Sequence, residues 1–394
     1  MCTIHSCAVF SRVSEIQSQV ATSSSGSKGM KVGDQDYRSI WLGEDGWSVE
    51  IIDQTLLPHN FATHRLTSLE QAAEAILSMR VRGAPLIGAT AAYGLCLALR
   101  QDSSDHAMEQ AVSMLLATRP TAVNLRWALE RMTVGLSSFP ESDRVQKAYE
   151  IAGSICDEDA ALNESIGSHG LALLKECSVR KKSGKPLNIL THCNAGWLAT
   201  VDWGTALAPI YKAHDLGMPL HIWVDETRPR NQGASLTAWE LAGHGVPHSV
   251  IVDNAGGHLM QTGQVDLCIT GTDRTAANGD VCNKIGTYLK ALAAHDNGIP
   301  FYVALPSPTI DWQLQEGVGQ IPIEERSPEE VSQISGLDQE GHLCKVNLLP
   351  QNSRAVNYGF DVTPAKYVTA LITEAGICEA SREGLESLFR RQAV

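Results

Sequence analysis

The chain has 394 residues, 43% hydrophobic and 19% charged, which is enough apolar material for two domains of ordinary size. Its formal net charge of −13 excludes nucleic acid as an expected partner, whereas a small anion held by a few local cations is compatible with it. No apolar run approaches the length of about 20 residues that crosses a bilayer, so we expect no membrane association. The ten cysteines form neither a CxxC pair nor a Cys/His cluster, which indicates a cytoplasmic protein (a nuclear location is also compatible) without a metal site.

Residues 1–33 differ in composition from the rest of the chain. They contain the run Thr22-Ser23-Ser24-Ser25-Gly26-Ser27, a single acidic residue and no sustained apolar periodicity. This composition predicts a disordered tail. Because Arg12 is its only arginine, we do not interpret it as a targeting peptide.

Residues 34–180 have a mainly helical pattern and form the predicted N-terminal domain. Apolar residues recur at spacings of three and four, as in amphipathic helices, over 68–80, 85–101, 105–118, 121–136 and 143–178. Pro85 suits a first helical turn, and Pro120 separates two helices.

Residues 181–394 form the predicted C-terminal domain, where the periodicity changes. Short apolar runs bounded by Gly, Pro or Asp occur at 187–193, 220–226, 248–253, 265–271 and 299–306. Helical patterns, including 232–243 and 283–297, separate them, which predicts parallel strands in βαβ units. The fold class is therefore α/β, with a helical domain followed by a Rossmann-like, mostly parallel, doubly wound sheet. No GxGxxG follows the first strand, so we expect no dinucleotide cofactor.

The predicted strand ends locate the active site, since ligands bind beyond the carboxyl ends of strands in open α/β sheets. Cys193 ends the first strand, where a following helix would lower the thiol pKa; the alternative is an inert buried cysteine. Asp273 follows another strand and, if partly buried, would have the raised pKa of a useful acid; the alternative is a helix cap. His192 should face away from Cys193, so we expect no Cys–His dyad.

Other residues could hold a phosphorylated or otherwise anionic ligand. Arg82 precedes two small residues at a predicted helix start, where a guanidinium and free amides can bind phosphate. Lys284 lies near another predicted helix start, which it would destabilise, and this suggests that it neutralises an anion there; the alternative is a solvated surface lysine. The candidate ligand residues are Arg82, Gly83, Ala84, Arg119, Gln232, Asn283 and Lys284.

Several segments together resemble the methylthioribose-1-phosphate isomerase family. They are RGAPLIG (82–88), RPTAVNL (119–125), THCNAG (191–196), VDETRPRNQG (224–233), GTDRTAANGDVCNKIGTY (271–288) and FDVTPAKYVTALITEAGI (360–377). The family shares its fold with the regulatory subunits of translation initiation factor 2B and with archaeal ribose-1,5-bisphosphate isomerase. The resemblance extends from about residue 38 to about residue 378 and leaves out residues 1–33.

The resemblance implies an aldose–ketose isomerase of methionine salvage, acting as a homodimer without metal or redox cofactor. Cys193 and Asp273 would be its acid–base pair, and the seven candidate ligand residues would bind the substrate. Asp273 suits the acid that protonates the departing ring oxygen and Cys193 the proton transfer at C2 and C1, although the order of roles stays open. The alternatives are a non-catalytic regulatory subunit of the initiation factor 2B type and an isomerase of a related sugar phosphate, such as ribose 1,5-bisphosphate.

The chain departs from the family pattern at a few positions. Residues 357–361 read Asn-Tyr-Gly-Phe-Asp where the family has Asn-Pro-Ala-Phe-Asp. Cys282 stands where a small residue such as alanine is usual, and Asn231 where an apolar residue often is. None of these changes affects the predicted catalytic pair.

Overall fold

The computed structural model describes residues 30–181 and 184–389. Its helices are α1 (Leu69–Leu77), α2 (Ala84–Leu99), α3 (Asp105–Thr118), α4 (Val123–Leu136), α5 (Glu141–Val179), α6 (Ala208–Asp215), α7 (Ala238–His244), α8 (Ala255–Gln261), α9 (Thr287–Asp296), α10 (Glu329–Ser332) and α11 (Arg382–Phe389). A π-helical segment, Gly233–Thr237, leads directly into α7. Short 3₁₀ turns occur at Trp197–Ala199, Ser307–Thr309 and Ala365–Tyr367.

The strands form small antiparallel sheets and one large, mostly parallel sheet. They are β1 (Met30–Val32), β2 (Gln35–Tyr37), β3 (Ile40–Leu42), β4 (Val49–Ile52), β5 (Thr63–Leu66), β6 (Leu187–Thr191), β7 (Leu220–Asp225), β8 (His248–Ile251), β9 (Leu267–Thr270), β10 (Arg274–Ala276), β11 (Val281–Lys284), β12 (Phe301–Ala304), β13 (Ile310–Asp311), β14 (Gln333–Leu337), β15 (Leu343–Asn347), β16 (Phe360–Thr363), β17 (Ala370–Thr373) and β18 (Gly376–Cys378).

The five helices predicted between residues 68 and 178 are confirmed, as α1 to α5. Serine side chains start two of them, since Ser68 accepts a hydrogen bond from the amide of Gln71 and Ser104 one from that of Ala107. Helix α2 is buried along nearly its whole length at the centre of the N-terminal core. The antiparallel sheet β3–β4–β5, which precedes these helices, was not predicted.

The described chain begins inside the predicted disordered tail. Met30–Val32 pairs with Gln35–Tyr37 in an antiparallel hairpin, so the prediction of disorder is wrong for this end of the tail. The reason is tertiary: the Met30 side chain is buried in the C-terminal core. Residues 1–29 lie outside the described residues.

The large sheet has the strand order β18-β17-β12-β9-β6-β7-β8, and only β18 is antiparallel to its neighbour. All five predicted strands of the C-terminal half are present in it, as β6, β7, β8, β9 and β12. Strands β9, β12 and β17 are buried at every residue, which explains their continuous apolar sequences. The pair β17–β18 was not predicted from the sequence.

A second sheet, of order β13-β10-β11-β16, was also missed. Strand β11 contains Asn283 and Lys284, so the predicted helix 283–297 is wrong at its start. The helix begins at Thr287, after Gly286 in the left-handed conformation (φ 101°). Lys284 therefore lies in a buried strand and not in the first turn of a helix, where the sequence pattern predicted it.

Helix α5 joins the two cores. Its first half packs with α2 and α4 through Ala152 and Ile155, and its second half packs on the large sheet through Ile166 and Leu174. At 39 residues it is about 58 Å long. A single helix therefore joins the helical half to the large sheet.

Asp159, in the middle of α5, makes the stability of the folded state depend on pH. Burial raises its pKa to about 7, although its carboxylate accepts a hydrogen bond from the Val201 amide at 2.7 Å. The folded state then keeps a proton that the unfolded state has lost. This stabilisation is complete below the unfolded pKa of 3.8 and is lost as the pH rises to about 7. It amounts to about 4 kcal/mol at most.

We therefore expect the free energy of unfolding to fall between about pH 5 and pH 8, and to fall less in Asp159→Asn. Urea denaturation of both proteins at the two pH values measures this. The buried acids Asp202 and Glu240 act in the same direction in both proteins, so the difference between the proteins measures Asp159 together with its charge coupling to Asp202. Equal pH dependence in the two proteins would contradict the assignment.

Two further predictions concern membranes and cysteines. None of the helices in the described part of the chain combines the length and the apolarity needed to cross a membrane. The eight cysteines within the described ranges are free, and six of them are buried, as expected for small apolar side chains.

Candidate active site

Three neighbouring strands of the large sheet end at one place. Strands β9, β6 and β7 are adjacent and parallel, and Asp273, Cys193 and Thr227 each follow the end of one of them. This is the edge at which the sequence placed the site. The helical domain contributes the loop before α2, which carries Arg82.

Cys193 is 7% exposed and lies just beyond β6. Burial raises the pKa of its thiol, the charges of Arg82 and Lys284 oppose the rise, and the negative charge of Asp273 adds to it. The expected lowering by a following helix is wrong, because only the 3₁₀ turn Trp197–Ala199 follows. At neutral pH the residue is therefore a thiol rather than a thiolate.

Asp273 stands between β9 and β10 and is followed by a strand, which excludes the helix-cap alternative. Burial raises its pKa, as predicted, while Arg82 and Arg119 are the main charges that oppose the rise. Its backbone amide bonds the carbonyl of Cys282 at 2.9 Å. Within residues 30–181 and 184–389 its carboxyl group makes no hydrogen bond or ion pair, so it is available to a ligand.

Lys284 is the last residue of β11 and is only 4% exposed. Burial lowers the pKa of its ammonium, and the negative charge of Glu330 partly counteracts this. Across the described residues, no carboxylate or other acceptor bonds the ammonium. A buried, unpaired cation is costly unless a bound anion compensates it, which supports the interpretation made from the sequence.

Arg82 is held by the turn after β6. Its guanidinium donates to the side-chain oxygen of Asn194 at 2.5 Å and to the Asn194 carbonyl at 2.9 Å. The next residue, Gly83, has φ 97°, and a β-carbon there would lie 2.3 Å from the carbonyl oxygen of Ala199. Only glycine therefore lets the Arg82 loop approach the sheet this closely.

A buried carboxylate fixes Asn194 in turn. Glu240 in α7 is 2% exposed and accepts hydrogen bonds from the Asn194 amide at 2.8 Å and the Tyr211 hydroxyl at 2.6 Å. It also accepts bonds from the backbone amides of Trp197 and Leu198. Burial raises its pKa to about 7, and these donors limit the rise. The buried Glu240 thus fixes the orientation of Asn194, and Asn194 in turn holds the Arg82 guanidinium in place.

Arg119 is held from the other side by an acidic segment that precedes α10. Its guanidinium bonds Glu324 at 2.9 and 3.1 Å. Arg326 bridges Glu324 to Glu330, and Glu330 also pairs with Arg230. Glu324, Arg326, Glu330 and Arg230 thus form a continuous chain of ion pairs, which we call the strap. Burial would raise the pKa of Glu330, but Arg326 and its other partners lower it to about 2.

Two cavities lie next to the loop that carries Arg82. The larger, about 430 Å³, is lined by Arg82, Gln232 and residues of the strap and the hairpin β14–β15. The smaller, about 30 Å³, is lined by Gly83, Ala84, Arg119 and Asp273. The larger volume falls within the usual range for small-molecule sites. The predicted phosphate-binding loop thus borders both cavities, and the predicted carboxyl group of Asp273 lines the smaller one.

The two predicted amides differ in their surroundings. The side-chain oxygen of Gln232 is buried and has no hydrogen-bond partner among the described residues, so it is free to accept from a sugar hydroxyl. Asn283 donates to the Thr287 hydroxyl at 3.0 Å and so ties β11 to α9. The Asn283 side chain thus bonds a neighbouring residue of the protein, unlike the free side-chain oxygen of Gln232 among the described residues.

One group of side chains next to the site has the composition of a metal centre. Ligand atoms of His192, Asp225 and Asp253 lie within 4.8 Å of one another. The Lys290 ammonium lies 3.2 Å from Asp225 and supplies the positive charge that a metal ion would otherwise supply. Both carboxylate oxygens of Asp253 accept hydrogen bonds from backbone amides, one of them from the amide of Thr227. His192 bonds Asp225 and the carbonyl of Ile285, so it faces away from Cys193 as expected.

Two residues of 357–361 that match the family pattern, Asn357 and Asp361, bond other parts of the C-terminal domain. Asn357 donates to Glu330 at 2.8 Å, and Asp361 accepts the Gly286 amide at 2.7 Å, at the start of α9. Tyr358 is 51% exposed, and Gly359 donates to the carbonyl of Glu324. Of the two changed residues, Tyr358 is therefore exposed to solvent and Gly359 contacts the backbone of Glu324. Of the retained residues, Asn357 holds Glu330 of the strap and Asp361 holds the start of α9.

Sequence reasoning missed Glu324 and Thr237, which contact the predicted residues Arg119 and Cys193, and Glu240, which supports Arg82 through Asn194. Glu240 has the appearance of an ordinary polar residue on a surface helix, and Glu324 lies in a charged loop 205 residues away from its partner Arg119. Thr237 has no local signal either. Thr227 differs, since it follows the end of β7, and its position alone could have suggested a role.

The chain is similar to known proteins over most of its length. Residues 80–380 match the sequence model described as the initiation factor 2 subunit family. A protein of Paramagnetospirillum magneticum named methylthioribose-1-phosphate isomerase is 63% identical over 364 residues, which cover 92% of this chain and 100% of that protein. A protein of the same name from Rhodospirillum rubrum is 61% identical and covers 92% and 94%.

Solved structures give the same relationship. The crystal structure of 5-methylthioribose 1-phosphate isomerase from Pyrococcus horikoshii is 40% identical with a TM-score of 0.76, covering 92% of this chain and 97% of that one. A structure titled as the delta subunit of translation initiation factor eIF-2B from A. fulgidus is 36% identical with a TM-score of 0.73, covering 90% and 100%. The helical domain and the mostly parallel sheet are thus common to both kinds of relative.

Proposed function

Since the chain belongs to the initiation factor 2 subunit family and, within it, to the methylthioribose-1-phosphate isomerases, we propose that Cys193 and Asp273 carry out this isomerisation as an acid–base pair. The reaction converts 5-methylthioribose 1-phosphate, an aldose, to 5-methylthioribulose 1-phosphate, a ketose of methionine salvage. One observation carries the proposal. Cys193 and Asp273 follow the ends of adjacent parallel strands, and the Asp273 carboxyl and the buried Lys284 ammonium have no hydrogen-bond or ion-pair partner within the described residues.

The substrate sets the order of the steps. Phosphate on the anomeric oxygen prevents a free aldehyde, so the bond between C1 and the ring oxygen must break first. Because burial raises the pKa of the Cys193 thiol, this residue holds a proton at neutral pH, and we assign to it the protonation of the ring oxygen. This reverses the role considered from the sequence, in which Asp273 was the acid.

Asp273 then moves the hydrogen. As the ring opens, C1 becomes electron-deficient, and the Asp273 carboxylate removes the proton from C2 to give an enol with a C1=C2 double bond. The same carboxyl returns a proton to C1, and the C2 hydroxyl loses its proton to the Cys193 thiolate as the ketone forms. Both residues end in the state in which they began, so the cycle balances without a cofactor.

The cations around the pair suit the phosphate. Arg82 can offer a bidentate contact, and Lys284 has no ion-pair partner among the described residues. Arg119 reaches Asp273 electrostatically from the other side of the small cavity. Gln232 offers a sugar hydroxyl its side-chain oxygen, which none of the described residues bonds. Action as a homodimer stays a prediction, which sedimentation of the purified protein would test.

NMR of the purified protein with a panel of sugar phosphates tests the activity. We expect conversion of 5-methylthioribose 1-phosphate and much slower conversion of ribose 1,5-bisphosphate, because a second phosphate would need a further basic cluster. In D₂O, deuterium at C1 of the product is expected if Asp273 transfers a proton. Complete transfer of the C2 hydrogen to C1 would instead indicate a direct hydride shift, and no conversion of any aldose phosphate would overturn the function.

A further inference from the structure

The Cys193 backbone has an unusual conformation. Its φ of 66° lies in the left-handed region, as does the φ of 65° at Thr227, beyond the neighbouring strand. Residues with a β-carbon disfavour this region, and they stay in it only where their surroundings hold them. The residue that carries the proposed catalytic thiol therefore needs contacts that maintain its conformation.

Two buried hydroxyl groups supply these contacts. The Cys193 amide donates to the Thr227 hydroxyl at 2.8 Å, and the Thr237 hydroxyl donates to the Cys193 carbonyl at 2.7 Å. Both threonines are fully buried, at 0% exposure. The Thr227 hydroxyl in turn donates to the carbonyl of Asp225, and its amide donates to Asp253. Both backbone polar groups of Cys193 are thus fixed to the segment that joins β7 to α7.

Thr237 has a second connection. Its hydroxyl accepts a hydrogen bond from the Asn194 side chain at 3.2 Å, and Asn194 holds the Arg82 guanidinium. Thr237 therefore contacts both the thiol-bearing residue and the support of the proposed phosphate-binding arginine. Thr227 contacts only the former. This difference gives the two threonines distinguishable effects.

We infer that Thr227 and Thr237 are positioning residues, whose hydroxyls hold Cys193 in the left-handed conformation that presents its thiol to Asp273 and Lys284. The inference rests on the proposed function, because positioning is useful only if the thiol takes part in the reaction. Misplacement of a reacting group by a fraction of an ångström is enough to lower the rate strongly.

Valine and serine substitutions separate positioning from packing. Thr→Val keeps the branched shape and removes the hydroxyl, whereas Thr→Ser keeps the hydroxyl. Thr270→Val is the matched control, since Thr270 is also fully buried at a strand end, but its hydroxyl has no partner among the described residues. Any loss that the control shares with the two positioning residues would be due to packing alone.

We expect Thr227→Val to lower kcat at least about tenfold with an unchanged KM. Thr237→Val should lower kcat similarly and also raise KM at least about threefold, because the support of Arg82 is lost as well. Thr227→Ser and Thr237→Ser should stay within about threefold of the wild type, and Thr270→Val should match it. If a valine variant does not fold, the alanine variant at the same position takes its place.

A second readout does not depend on turnover. The alkylation rate of Cys193 by iodoacetamide, followed by mass spectrometry of its peptide, should rise in both valine variants, because the loop relaxes, and should not rise in Thr270→Val. Wild-type kinetics and alkylation in the valine variants, or an equal loss in Thr270→Val, would overturn the inference. If Cys193→Ser keeps full activity, the proposed function fails instead, and the alkylation rates alone decide whether the threonines position Cys193.

Discussion

Replacing Cys193 by serine or Asp273 by asparagine is expected to lower kcat at least about 100-fold, the scale of one acid–base group. Serine keeps the size of the side chain but has too high a pKa to exchange protons readily, and asparagine cannot accept a proton. Steady-state kinetics of the purified variants measure the loss. Since both side chains are small and conservatively replaced, melting temperatures near that of the wild type should accompany it.

Matched variants control for the loss of a buried group. Cys268→Ser removes a fully buried thiol from β9 of the same sheet, and Asp311→Asn removes a carboxylate that pairs with Arg274. Both should keep turnover within a few-fold of the wild type. Near wild-type kcat in either Cys193→Ser or Asp273→Asn would refute the assignment of that residue, and the enzyme would then need another proton donor or acceptor.

Replacing Arg82 by alanine is expected to raise KM by about tenfold to a hundredfold while changing kcat much less. Hydrogen bonds to charged groups contribute about 1.5–3 kcal/mol, and the phosphate is bound in both the ground state and the transition state. Arg82→Lys should recover only part of the affinity, because lysine lacks the two parallel donors of arginine. Initial rates against substrate concentration give both constants.

Arg80 provides the control for Arg82. It lies two residues away and pairs with Asp53 and Glu74 rather than with a site residue. Arg80→Ala should leave KM unchanged. An unchanged KM in Arg82→Ala would argue against a phosphate contact, and a kcat loss as large as that of Cys193→Ser would show that Arg82 acts on the reacting atoms instead.

Much of the fold could be predicted because its local patterns are strong. The helices between residues 68 and 178 have the three- and four-residue apolar spacing that buries one face, and β6, β7 and β9 are short apolar runs with clear boundaries. Strands β10, β11 and β16 were missed because they are short and lie next to polar residues. Their pairing partners lie far away in the sequence, as in β11 with β16.

The candidate site divides in the same way. The sequence by itself determined that Cys193 and Asp273 follow strand ends and that Arg82 precedes a glycine, since each depends on residues that are neighbours in the chain. Only the tertiary structure decided that Lys284 is buried without a partner in the described part of the chain, that Glu240 supports Arg82 through Asn194, and that burial raises the thiol pKa. Burial and charge pairing depend on residues up to 205 positions apart, as for Arg119 and Glu324, and no local pattern records them.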